Sequence, residues 1–164
     1  MKTNTKPICI IPARIGSKRI KFKNIINFYG KPLIYYSIRE AKKSKLFSRI
    51  VVTTDSKKIG NIAKKYGAEV PFLRSKKLSN DSMGIKPVIC DCIKKIKSNN
   101  IKYHFIIYAT NPLIKASNLK KGFKKIKKLK YKILMGVKKF DVNPSKSIRI
   151  KNNNLIFSFS KKIL

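Results

Sequence analysis

Short apolar runs and longer amphipathic stretches alternate along most of this chain. Cys9, Ile10 and Ile11 form a continuous apolar run ending at Pro12, and Arg49 to Thr53 and Tyr103 to Tyr108, each with an apolar centre, read as two further strands. Runs of this kind suit strands buried on both faces. From Pro32, a favoured first helical residue, the spacing of Leu33, Ile34, Tyr36, Ile38 and Ala41 predicts a helix to about Lys45. A second helix, Ser56 to Tyr66, carries Ile59, Ile62 and Ala63 on one side and stops at Gly67. Glu69 to Leu73 reads as a short strand, and Gly84 to Ser98 as a third helix whose stripe is Val88, Ile89, Ile93 and Ile96. In Asn118 to Lys130, Leu119, Phe123, Ile126 and Leu129 recur at helical spacing among many lysines. A core-facing helix with a solvated lysine face is preferred there to a membrane-surface helix, because the neighbouring strands need a covering layer. Ile133 to Val137 predicts a fourth central strand, and Asn152, Asn153 and Asn154 predict a hairpin turn between Ser147–Ile150 and Leu155–Phe159.

Buried strands alternating with amphipathic helices imply an α/β fold, a mostly parallel sheet with helices on both faces. Ligands in such sheets bind beyond the carboxyl ends of the strands. The segments to search are therefore the loop from Arg14 to Asn24, the strand end at Asp55, and Ala109-Thr110-Asn111-Pro112 after Tyr108.

At 164 residues the chain is expected to form one domain, 1–164. It has no apolar stretch of membrane-spanning length, and Met1 to Lys6 lacks the layout of a secretory signal, so a soluble, cytoplasmic protein is expected. Cys9, Cys90 and Cys92 do not form a disulfide framework. His104, the single histidine, reads as a packed or edge-facing imidazole. The net charge of +35 suggests a polyanion partner. Lysines far outnumber arginines, however, and are scattered over every element without aromatic interleaving, so the charge implies nonspecific nucleic-acid affinity at low salt and no more.

The first loop holds Arg14, Gly16, Ser17, Lys18, Arg19, Lys21, Lys23 and Asn24. It matches neither the three-glycine dinucleotide fingerprint nor a Walker A loop. A small residue lets backbone amides approach an anion, and several cations on one short loop can neutralise a triphosphate. A merely solvated basic loop is the alternative.

The order of residues narrows this. Ile11-Pro12-Ala13-Arg14-Ile15-Gly16-Ser17-Lys18-Arg19-Ile20, then Lys23-Asn24-Ile25 and Gly30-Lys31-Pro32-Leu33-Ile34, resembles the opening of acylneuraminate-type cytidylyltransferases. Ile50-Val51-Val52-Thr53-Thr54-Asp55, Tyr66-Gly67-Ala68-Glu69-Val70-Pro71-Phe72-Leu73-Arg74, Leu78, Asp81 and Tyr108-Ala109-Thr110-Asn111-Pro112 follow in the family's order, with wording most like the pseudaminic acid branch. The resemblance implies a Rossmann-like three-layer fold of the nucleotide-diphospho-sugar transferase type. It also implies CTP and Mg²⁺ as ligands, with attack of the anomeric hydroxyl of a nine-carbon keto sugar acid on the α-phosphate. By motif match, Arg14 and Lys18 are the catalytic candidates and, with Lys23, would hold the triphosphate. Ala13, Gly16, Ser17, Asn24, Arg74 and Thr110 complete the nucleotide-binding set. Asp55 and Asp81 match acidic positions of the sugar cleft, with turn or helix capping as the alternative.

Departures accompany the match. Ile15 stands where the family has a small or polar residue and would crowd the triphosphate. Lys21 replaces a loop-stiffening proline, and Met83-Gly84-Ile85 replaces a hydroxyl-bearing stretch. Relatives continue through a dimerisation segment and an Asp-x-Asp pair for Mg²⁺, whereas nothing after Asp141 is acidic. The metal ligands are therefore unassigned, the fold is expected to be incomplete at its C-terminus, and reduced activity is expected. A homodimer is implied by the family. A catalytically inactive nucleotide-binding remnant and, further off, a basic nucleic-acid-binding domain are the competing readings.

Overall fold

The computed structural model describes residues 6–17, 19–129, 132–137, 139, 141, 148–151 and 154–157. In chain order the regular elements are β1 (Ile8–Pro12), β2 (Asn27–Phe28), β3 (Lys31–Pro32), α1 (Leu33–Ser44), β4 (Arg49–Thr53), α2 (Lys57–Lys65), α3 (Ile85–Lys95), β5 (His104–Ile106), α4 (Ala116–Leu129), β6 (Ile148–Lys151) and β7 (Asn154–Phe157). The chain divides into two compact units, Met1–Leu129 and Lys130–Leu164.

In the first unit the apolar run of β1 is the middle strand of a parallel sheet ordered β4-β1-β5, with Ile10 opposite Val51 on one side and Ile106 on the other. Successive side chains of a strand face opposite ways, so a run that is apolar throughout must be covered twice. Cys9, Ile11 and Ala13 pack with Ile34 and Ile38 of α1, Ile59 and Ala63 of α2 and Leu119 of α4. Ile8 and Ile10 pack on the other face with Ile89 and Cys92 of α3. This is the expected sheet with helices on both faces.

Local chemistry sets the helix ends. The Ser56 side chain accepts from the Ile59 N–H at 3.4 Å and caps α2, and beyond its last turn Gly67 reverses the chain at φ +88°. The N-terminus of α4 is capped from another element, where Glu40 of α1 accepts the Ala116 N–H at 2.9 Å. Burial alone would raise the Glu40 carboxyl, but the Ala116 amide and Arg39 together bring it below the usual carboxylate range. Phe123 of α4 meets Phe105 and Tyr103 edge-on, at 5.8 Å and 5.7 Å between ring centres. His104 lies 3.0 Å from the Ser98 hydroxyl, and burial lowers its pKa.

Two expected strands change. The segment from Glu69 to Leu73 makes only isolated parallel bridges to β4, Val51 with Glu69 and Thr54 with Leu73. Pro71 has no N–H to continue a ladder between them. Ile133 to Val137 is not a fourth central strand: the run is irregular, and Ile133 is 76% and Val137 89% exposed. An apolar run shows that burial is favourable without specifying an edge to pair with, and no ladder takes up its backbone groups among the described residues. In the same second unit β6 and β7 form an antiparallel hairpin with Lys151 opposite Asn154, so Asn154 belongs to the strand. Asn152, Asn153 and the outer ends predicted for this hairpin, Ser147, Ser158 and Phe159, lie outside the described residues.

Candidate functional site

The segments that leave β1 and β5, together with residues 74–85 after β4, enclose a cleft of about 240 Å³. Ala13, Arg14, Ser17, Lys23 and Asn24 line it from the first loop, Arg74, Asn80 and Asp81 from the second segment, and Tyr108, Ala109 and Thr110 from the third. The first loop is fixed by its backbone. The Ala13 N–H donates to the Thr53 carbonyl at 3.0 Å, the Ile15 N–H to Asp55 Oδ1 at 2.9 Å, and Asn24, itself buried, donates from Nδ2 to the Arg14 carbonyl at 2.7 Å. On the third segment, Ser37 of α1 donates its hydroxyl to the Tyr108 carbonyl at 2.9 Å.

The two cleft arginines are held differently. Arg14 is partly exposed, forms an ion pair with Asp81 and reaches the Ser79 carbonyl from Nη1 at 3.4 Å. Arg74 is 6% exposed; its N–H donates to the Thr54 carbonyl at 2.7 Å and its Nε to Ser79 Oγ at 2.9 Å. Burial pushes the Arg74 guanidinium below its usual range, Asp55 counters this and Arg14 adds to it. A cation already stripped of water and facing another cation gains more from an incoming anion than a solvated lysine does.

Of the residues predicted from sequence, Ala13, Arg14, Ser17, Lys23, Asn24, Arg74, Thr110 and Asp81 share the cleft lining. Asp55 stands behind the loop as acceptor for the Ile15 amide. Gly16 is not among the lining residues; a Cβ there would meet nothing within 4 Å, so packing does not demand glycine and the space above the backbone is open. Lys18 lies outside the described residues. The Ile15 side chain is partly buried and packs against the core cluster that includes Cys9 and Ile11. Among the described residues no three acidic, histidine or cysteine side chains stand together as metal ligands.

Residues 8–162 match the family model described as cytidylyltransferase. The chain belongs to the cytidylyltransferase family. Within this family, the pseudaminic acid cytidylyltransferase of Campylobacter jejuni subsp. jejuni is 40% identical over 159 residues, which cover 96% of this chain and 68% of the relative. The CMP-N,N'-diacetyllegionaminic acid synthase of Legionella pneumophila is 34% identical over 84% of this chain and 60% of its own length. Among solved structures, a CMP:2-keto-3-deoxy-manno-octonic acid synthetase complexed with CTP shares the fold with a TM-score of 0.64 at 19% identity, over 75% of this chain and 48% of that one. A cytidylyltransferase from Leptospira borgpetersenii matches with a TM-score of 0.59 at 27% identity, over 74% and 49%. The chain thus spans about half the length of these two structures.

For a cytidylyltransferase chain, the sequence reading missed three contributors. Ser79 touches both arginines. Asn80 accepts from the Met83 N–H at 2.8 Å and the Ser82 hydroxyl at 3.1 Å, which shapes the far wall; the polar run Asn80-Asp81-Ser82 is a readable signal for such a turn. Tyr108, half exposed at the cleft, was legible as an aromatic ending a strand.

Proposed function

We propose that the chain binds CTP in this cleft and transfers CMP to a nine-carbon keto sugar acid of the pseudaminic or N-acylneuraminic type, releasing pyrophosphate. The observation that carries the reading is the convergence of Arg14, Lys23, Asn24 and the buried Arg74 on one cleft, in a chain 40% identical to a pseudaminic acid cytidylyltransferase. The anomeric oxygen of the sugar acid forms a bond to the α-phosphorus, and the bond from that phosphorus to the bridging oxygen breaks. The electron pair leaves on pyrophosphate, and the hydroxyl proton passes to water. This chemistry asks for positioning and charge neutralisation rather than a covalent nucleophile. Arg14 and Lys23 supply charge for the triphosphate, with Lys18 joining them by motif match. Arg74, Asn24 and Thr110 border the nucleoside, and residues 1–164 act as one nucleotidyltransferase domain.

The resemblance brings Mg²⁺ with it, and the described residues do not fit a protein-held ion. Asp81 is engaged by Arg14 and Asp55 by the Ile15 amide, and no third carboxylate joins them. The same engagement favours a second reading, a chain that binds the nucleotide without transferring it. A cytoplasmic location and a homodimer accompany the first reading; among the described residues no helix is long and apolar enough to cross a membrane.

The deciding measurement is pyrophosphate release from CTP in the presence of pseudaminic or N-acetylneuraminic acid. Release that depends on the sugar acid supports transfer. CTP binding without release selects the second reading, and absence of CTP binding removes both.

A further inference from the structure

Ser79 lies at the end of the short 3-10 turn Lys76–Ser79, and it meets both cleft arginines through different atoms. Its carbonyl accepts from Arg14 Nη1 at 3.4 Å, and its hydroxyl accepts from Arg74 Nε at 2.9 Å. The hydroxyl proton is committed elsewhere, to the Ser75 carbonyl at 2.9 Å. That donation leaves the oxygen lone pairs facing Arg74, so the hydroxyl is oriented to accept from the guanidinium. Arg14 and Arg74 repel each other; the ion pair with Asp81 holds Arg14, and the Ser79 hydroxyl holds Arg74.

We propose that Ser79 is a positioning residue for nucleotide binding, fixing the buried Arg74 guanidinium beside Arg14 so that both cations meet the same anionic ligand. This rests on the assignment of the cleft to CTP. Ser79 acts through Arg74 and touches no ligand itself. Without the hydroxyl, Arg74 Nε loses its acceptor inside a buried site, and the guanidinium turns toward whatever carbonyl or carboxylate is nearest, with Asp55 the available anion. The hydroxyl matters more than the volume of the side chain, so threonine, which keeps an oxygen at the same branch point, preserves the arrangement.

The test is a set of CTP titrations by calorimetry on the purified chain as wild type, Ser79→Ala, Ser79→Thr, Arg74→Ala and the Ser79→Ala/Arg74→Ala double variant, each with a thermal midpoint. Ser79→Ala is expected to weaken CTP binding about tenfold, and Ser79→Thr to restore it to within about twofold. The double variant should bind within about twofold of Arg74→Ala alone, because the hydroxyl meets only that arginine of the two, and alanine keeps the carbonyl that meets Arg14. Full additivity of the two single losses, or a Ser79→Ala isotherm equal to wild type while Arg74→Ala is weakened, overturns the role of Ser79 and leaves the CTP assignment standing. A wild-type chain that does not bind CTP overturns the assignment itself. A fall in thermal midpoint of Ser79→Ala with no rescue by threonine shows a folding role instead, and also overturns the proposal.

Discussion

Two depressions of similar size lie on the same unit. The cleft between the first loop and residues 74–85 measures about 240 Å³, and a second hollow, between α2 and residues 70–73, about 260 Å³. Both are lined by cations, Arg14, Lys23 and Arg74 in the first, Lys57 and Lys64 in the second. In the second, the two lysines are exposed and stand over Val70, Phe72 and Leu73. In the first, Arg74 is buried and Arg14 is paired, and both are tied to Ser79. On a chain with a net charge of +35, positive charge by itself marks nothing. What separates a candidate site from a basic surface is cations that the protein has desolvated and fixed before any ligand arrives, since those lose little further freedom on binding.

The strongest break of this contrast is Arg14→Ala, expected to weaken CTP binding about 10- to 100-fold in a calorimetric titration, as befits loss of a charge-assisted contact; an unchanged isotherm makes the two depressions equivalent. Next comes Asp81→Asn. A carboxylate paired with Arg14 competes with an incoming polyphosphate, and the partly exposed pair is itself weak, so its neutralisation should tighten CTP binding about three- to tenfold at low salt. Weaker binding by this variant would show that Asp81 serves to orient Arg14. The smallest effect belongs to Lys57→Ala/Lys64→Ala, which should shift CTP affinity less than about twofold while lowering retention on a DNA column whose binding falls steeply with salt. Equal loss of both would dissolve the distinction between fixed and solvated cations.

Much of this arrangement was readable in the chain. β1 and β4 were visible because Cys9 to Ile11 and Ile50 to Val52 are apolar on both faces, and the helices because one stripe of each repeats at helical spacing. The first loop was readable through the order of its residues. What escaped depends on partners distant in sequence. Ser79 is 65 residues from Arg14, and no local pattern reports that they meet. Asp55 was readable from the motif match as a cleft acid or a turn cap; that its carboxylate accepts from the Ile15 amide depends on the parallel pairing of β1 with β4, which no local pattern reports. The strand expected at Ile133 to Val137 failed for the opposite reason: hydrophobicity was legible and pairing was not.

The position of β1 also shapes how the chain must be made. β1 leaves the ribosome before either of the strands that flank it, β4 on one side and β5 on the other. Its second flank cannot exist until His104 to Ile106 have been translated, a delay on the order of 5–20 s at ordinary elongation speeds. Throughout that interval Ile8 to Ile11, fully covered in the folded chain, keep one strand edge unpaired, the kind of exposed edge that favours association between unfinished chains.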